Sequence, residues 1–166
     1  MESKPQIVTL AFPLLMDSYR LVLLGQDETG EKKSDYCLNC LACLVSEKET
    51  PMIVALKSLQ QEFGLITRRE DLRLGMSLDI FFSTEHRYRC LIFLAKSWRF
   101  DNKARKQNFP FWQLCGLFPK VVWPSDSLWA LEVTSKRRLD AKAIHNKDGS
   151  KLLSFDLESI EIESVP

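Results

Sequence analysis

The sequence predicts an α/β fold, an α/β/α sandwich built on a mixed β-sheet. Three observations carry this expectation. Residues 51–63 read as one amphipathic helix, bounded by Pro51 at its start and Gly64 at its end. Apolar runs of strand length lie on both sides of it, at 7–15, 19–26, 76–82 and 87–95. A closing hairpin pattern follows a second helix start near Pro124. Strands that flank a central helix, with another helix late in the chain, suit a mixed sheet packed between helices.

Taken in order, Ile7 to Leu15 and Tyr19 to Gln26 are two strands joined by the short turn Met16-Asp17-Ser18. The polar stretch Asp27 to Asp35 is a loop, and Tyr36 to Cys43 is a short strand that leads to the helix. Thr50 stands where an N-cap is wanted. Ala55, Leu56, Leu59 and Phe63 recur at helical spacing as the buried stripe, while Ser58, Gln61 and Glu62 share another face, which by itself would be solvated. Met76 to Phe82 and Arg87 to Ala95 are the next strands, with Ser83-Thr84-Glu85-His86 as their turn. Lys96 to Asn108 is basic and irregular, and Phe109 to Leu114 is apolar again. Pro124 to Ser127 opens a half-buried helix through Leu128, Trp129, Leu131 and Glu132. Asp140 to His145 and Lys151 to Ile162 close the chain as a hairpin about Asn146-Lys147-Asp148-Gly149.

A chain of 166 residues, 45% of them apolar, is one domain's worth, residues 1–166, and can bury a real core. A net charge of +1 gives no global pull toward nucleic acid or membrane, and no run reaches the length of a membrane span. The apolar stretch Gln6 to Met16 carries Pro13 and lacks a small-residue cleavage site, so it reads as a strand and not as a signal peptide. Five cysteines without a secretory signal point to free thiols in a reducing, cytoplasmic setting, with the nucleus as another reducing compartment.

Residues 43–65, CLVSEKETPMIVALKSLQQEFGL, resemble the Nudix box, the loop-helix-loop pattern G-x5-E-x7-R-E-U-x-E-E-x-G-U in which U is a bulky aliphatic. Glu49, Leu59, Glu62, Gly64 and Leu65 fall where the pattern wants them. Lys57 stands for the family's Arg, and the resemblance implies that it pairs with Glu49 to brace the loop. Cys43 replaces the first Gly, Ser58 the first helical Glu and Gln61 the second. In the family those two glutamates and the one kept as Glu62 hold magnesium, so the frame survives and two of three acids are gone.

The resemblance extends from about residue 6 to the closing hairpin, and within the superfamily it is to the mammalian-type MutT homologues. These hydrolyse oxidised purine nucleoside triphosphates such as 8-oxo-dGTP. Trp123-Pro124-Ser125-Asp126-Ser127-Leu128-Trp129 is similar to their W-P-D-D-S-Y-W, where the Trp packs on the purine and the two acids read its edge. By that match Trp123 and Asp126 keep their roles, and Ser125 loses the first acid. Asn39 lies where the family places an Asn that hydrogen-bonds the base. Pro110-Phe111-Trp112 matches a further landmark and puts Gln107 at the position of a glutamate that assists metal or attacking water. Asn39 also suits a strand end, and Trp123 and Trp129 also suit plain core.

Phosphoryl transfer relies on positioning and on electrostatic stabilisation by metal, and magnesium needs hard, charged oxygen ligands. One unit-charge pair at 4 Å is worth about 4 kcal/mol at an effective dielectric near 20, and a divalent ion doubles it. A serine hydroxyl or a glutamine amide offers an oxygen without that charge. The expectation is therefore a protein that binds a purine nucleoside triphosphate or related nucleotide, with magnesium binding weak or lost and hydrolysis impaired. Two alternatives stand beside it: an active magnesium-dependent diphosphatase that uses Glu62 with metal carried by the substrate, and a non-catalytic module for a protein partner.

Cys37, Cys40 and Cys43 form C-x2-C-x2-C, part of an iron-sulphur run whose fourth ligand is absent, Glu47 standing in its place. On a strand these thiols alternate between faces, and small buried thiols account for them. The short basic groups at Lys103, Arg105 and Lys106 and at Lys136, Arg137 and Arg138 read as solvated edges, without a nucleic-acid footprint.

Overall fold

The computed structural model describes residues 7–17, 20–25, 43–101, 111–114, 125, 128–129, 132–133 and 137–160. The helix α1 spans Pro51–Phe63, as its apolar spacing and bounding residues require. Gly64 ends it in the left-handed region, φ 62° and ψ 29°, and its N–H donates back to the Gln60 carbonyl at 3.0 Å. Thr50 occupies the N-cap position, but only its carbonyl takes part, accepting from the Val54 N–H at 3.1 Å. Its hydroxyl makes no capping bond, which corrects the expected role of that side chain.

The strands, among the described residues, are β1 (Val8–Asp17), β2 (Arg20–Gly25), β3 (Cys43–Leu44), β4 (Leu65–Ile66), β5 (Leu72–Phe82), β6 (Glu85–Ala95), β7 (Arg99–Phe100), β8 (Phe111–Leu114), β9 (Arg138–His145) and β10 (Leu152–Ile160). The main sheet runs β10-β9-β5-β6-β1-β2-β8, with β3 pairing on β1. It is mixed, since β1 pairs parallel with β6, and β5 parallel with β9, while its other pairs are antiparallel.

Successive side chains of a strand point to opposite faces. In β6 the four residues Ile92, Phe93, Leu94 and Ala95 are all buried, so both faces of this central strand are covered. The helix α1 lies against β1 and β6. Ser125, Leu128, Trp129, Glu132 and Val133 mark a late helical turn, with the Val133 N–H donating to the Trp129 carbonyl at 3.0 Å, and the Val133 side chain packs near Leu94. Both elements pack against the sheet. Trp129 and Val133 belong to the same apolar core as Ala55 and Leu59.

Four features depart from the expected elements, the first being that Met16 and Asp17, expected in the turn, belong to β1 and pair with Leu21 and Arg20. Strand β5 begins at Leu72, four residues before Met76, and passes through a bulge at Gly75: Leu74 pairs with Phe93 and Met76 with Ile92. The apolar alternation Leu72, Leu74, Met76, Leu78 and Ile80 runs unbroken through Gly75 in the sequence, so the earlier start was legible in the period-2 pattern. The β5–β6 turn is only Ser83-Thr84, with Ser83 at φ 57°, so Glu85 and His86 already belong to β6. Within the stretch read as irregular, Arg99 and Phe100 form β7 on β4, and the Asp101 N–H donates to the Gly64 carbonyl at 2.7 Å. The closing hairpin stands as expected, with Gly149 at φ 78° and the Lys151 carbonyl accepting from the Asn146 N–H at 2.9 Å.

Candidate functional site

The pairing of β3 on β1 places the loop before α1 beside the first strand. Leu10 stands opposite Leu44, Ala11 opposite Cys43, and the Val45 N–H donates to the Thr9 carbonyl at 2.9 Å. Pro51 then turns the chain into α1, and the loop folds back over the second helical turn. Lys57 Nζ donates to Glu49 Oε1 at 3.1 Å, and the Ser46 hydroxyl donates to Glu49 Oε2 at 3.0 Å. Both carboxylate oxygens of Glu49 are thus engaged. The hydrogen bond from Lys57 is the largest cause holding its carboxyl below the usual value of 4.5, followed by the bond from Ser46 and the charge of Lys57. Loop and helix are braced by the Glu49–Lys57 pair that the resemblance implies.

Beneath this brace lies a small cleft of about 170 Å³, walled by Cys43, Glu49, Val54, Lys57, Ser58 and Gln61. Gln61 is exposed, whereas Ser58 is only 5% exposed and its hydroxyl has no hydrogen-bond partner among the described residues. That corrects the reading of Ser58 as part of a solvated face: it and Val54 extend the buried stripe of Ala55 and Leu59. Of Glu62, only its place in α1 is described, on the turn that carries Ser58 and Gln61.

A wider groove of about 710 Å³ shares Glu49 with this cleft and runs between β1 and the loop, past Thr9, Val45 and Ser46. Its volume lies within the range of small-molecule sites. Sequence reading missed it, along with the contribution of Ser46, because β1 and the loop meet only through the β1–β3 pairing. The one local signal was a serine three residues before Glu49.

Of the other candidates, Ser125 is fully buried at the start of the late helical turn. Its carbonyl accepts the Leu128 N–H at 3.0 Å, and its hydroxyl is unpartnered among the described residues. Ser125 is not among the residues that wall either cavity. Asn39, Gln107, Trp123, Asp126, Cys37 and Cys40 lie outside the described residues. No group of three or more His, Cys, Asp or Glu side chains gathers among the described residues as a metal cluster. No described helix is long and apolar enough to cross a membrane.

No protein-family model and no curated protein matches this sequence. Solved structures do. A mutator MutT protein from Bacillus halodurans superposes with a TM-score of 0.64 at 14% identity, over 92% of this chain and 98% of that one. A Nudix hydrolase from Nitrosomonas europaea gives a TM-score of 0.46 at 13% identity, over 79% of this chain and 81% of that one. A MutT structure from a study of Aliivibrio salmonicida and Vibrio cholerae gives 0.46 at 12% identity, over 77% and 95%. The assignment of the fold rests on the first.

Proposed function

From a chain that has the fold of the Nudix hydrolases, we propose a protein that binds a purine nucleotide and hydrolyses it poorly. One observation carries this reading. The Glu49–Lys57 brace that the resemblance implies is present, with Ser46 joining it, while the cleft it covers is walled by Ser58 and Gln61, where the family's pattern has glutamates. The scaffold of the site is intact and its charge is not.

Magnesium does not fit this donor set. It demands near-octahedral coordination by hard oxygens, with carboxylates to offset its charge. Here the cleft offers a buried hydroxyl, a neutral amide, and a Glu49 carboxylate already bound by an ammonium and a hydroxyl. Glu62 adds one acid to the same turn by its position in the helix. A family-type site of three carboxylates would add several kcal/mol of attraction per charge, on the order of several powers of ten in rate. The groove beside β1 supports the binding half of the reading, being of small-molecule size and sharing Glu49 as a wall with the cleft. The purine preference rests on the resemblance at Asn39, Trp123, Ser125 and Asp126, and the cytosolic setting on the five cysteines.

The test is hydrolysis of 8-oxo-dGTP, dGTP and ATP with magnesium, by this chain and by a Ser58→Glu, Gln61→Glu double variant. Turnover by the variant with a silent parent is the expected result. Rapid turnover by the parent, with Glu62 and substrate-borne metal sufficing, would overturn the impaired-enzyme reading. Silence from both, with no thermal shift on adding nucleotide, would leave a module for a protein partner.

A further inference from the structure

The cleft beneath the brace is poor in acceptors for a cation, but it is not chemically empty. Three residues of its described wall, Lys57, Ser58 and Gln61, can donate hydrogen bonds. The Ser58 hydroxyl is buried at the wall with no partner among the described residues. A buried hydroxyl left in that state is destabilising, and a ligand that accepts its hydrogen bond recovers the loss. Gln61, one helical turn on and exposed, brings an amide with two N–H donors. Lys57 carries three donors, of which one is directed at Glu49. Among the described residues walling the cleft Glu49 is the one carboxylate, and the Lys57 ammonium at 3.1 Å balances its charge.

We infer that this cleft takes an oxyanion directly, a phosphate group of a nucleotide or of free polyphosphate, held by Ser58, Gln61 and Lys57 without a metal ion between. Three acids at Ser58, Gln61 and Glu62 would repel such an anion unless a cation intervened. Replacing two of them with neutral donors removes most of that repulsion and supplies hydrogen bonds in its place, and bonds from neutral donors to a charged acceptor are stronger than neutral pairs. The loop supports the same geometry, because the Ser46–Glu49–Lys57 chain fixes the ammonium at the rim of the cleft. The nucleotide arm of this inference rests on the nucleotide-binding reading above; the polyphosphate arm does not.

The experiment is calorimetric titration of the full chain with dGTP and with inorganic tripolyphosphate, in EDTA and in magnesium. Wild type is compared with Ser58→Ala, which removes the hydroxyl from a buried site with little change of shape, and with Gln61→Glu, which returns a charge to an exposed position. Binding of both ligands in EDTA, dGTP the tighter, no stronger with magnesium, and weakened roughly tenfold by each variant, is the expected result. Binding that requires magnesium, or that neither variant alters, would overturn the inference while leaving the nucleotide reading standing. Tripolyphosphate bound in this way with dGTP no tighter would leave the cleft assignment in place and remove the nucleotide. Failure of both ligands to bind would sink both.

Discussion

Glu49 Oε1 and Lys57 Nζ stand 3.1 Å apart across eight residues of chain, tying the loop that follows β3 to the second turn of α1. The pair is solvent-exposed, so its effect is on where the loop sits more than on whether the chain folds. Lys57→Ala is expected to leave the melting temperature almost unchanged and to weaken nucleotide binding several-fold. Parallel thermal melts and titrations check this, and a large fall in melting temperature would contradict it.

The same pair sets a pH dependence. The hydrogen bonds from Lys57 and Ser46 hold the Glu49 carboxyl below its usual value of 4.5. A group with a lowered folded pKa contributes its stabilisation fully above the unfolded pKa and loses it as the pH falls through the folded one. The difference in melting temperature between wild type and Glu49→Gln should therefore be constant around neutral pH and close only in acid, below 4.5. A difference that varied across the neutral range would point to another group.

Ser58 is 5% exposed, so a lone Ser58→Glu substitution places a carboxylate in a nearly closed site. It should destabilise the chain by about 1–3 kcal/mol in EDTA, the penalty for a poorly satisfied buried group. Combined with Gln61→Glu, added magnesium should restore much of the loss, because a metal bound only by the folded state stabilises it. Denaturant melts with and without magnesium measure both effects.

At Gly75 a side chain would collide with the core. A Cβ there would lie 2.7 Å from Leu94 Cδ1 and 3.2 Å from Val133 Cγ2, and Leu94 is fully buried. Gly75→Ala should cost about 1–3 kcal/mol, the usual range for overpacking. A neutral result by chemical denaturation would mean that Val133 and its helical turn do not press on the bulge as the structure has it.

Gly64 ends α1 at φ 62°, where an L side chain is strained. Gly64→Ala is expected to cost about 1 kcal/mol for that conformation alone. The loss should also loosen the adjoining β4–β7 pair, since the Gly64 carbonyl accepts the Asp101 N–H at 2.7 Å. Faster amide exchange at Asp101 in the variant would confirm the link.

What the sequence by itself determined is local. The bounds of α1, the middles of β1, β2, β5 and β6 and the closing hairpin depend on spacing within a few turns of chain and are found in place. Propensity, capping residues and periodicity act over that range, so they are legible without a structure. The Glu49–Lys57 pair was implied by the resemblance, and the strand expected at 36–43 lies outside the described residues but for Cys43. The tertiary structure alone decided which surfaces meet. It buried Ser58, which a helical wheel leaves solvated, because the loop after β3 closes over that turn. It put a bulge at Gly75 inside β5, where Leu74 pairs with Phe93 and Met76 with Ile92 although the apolar alternation of the sequence runs on unbroken. It built the groove between β1 and the loop from residues more than thirty positions apart, joined by the β1–β3 pairing. Burial and cavities arise from contacts between distant segments, and no window of sequence contains both sides of such a contact.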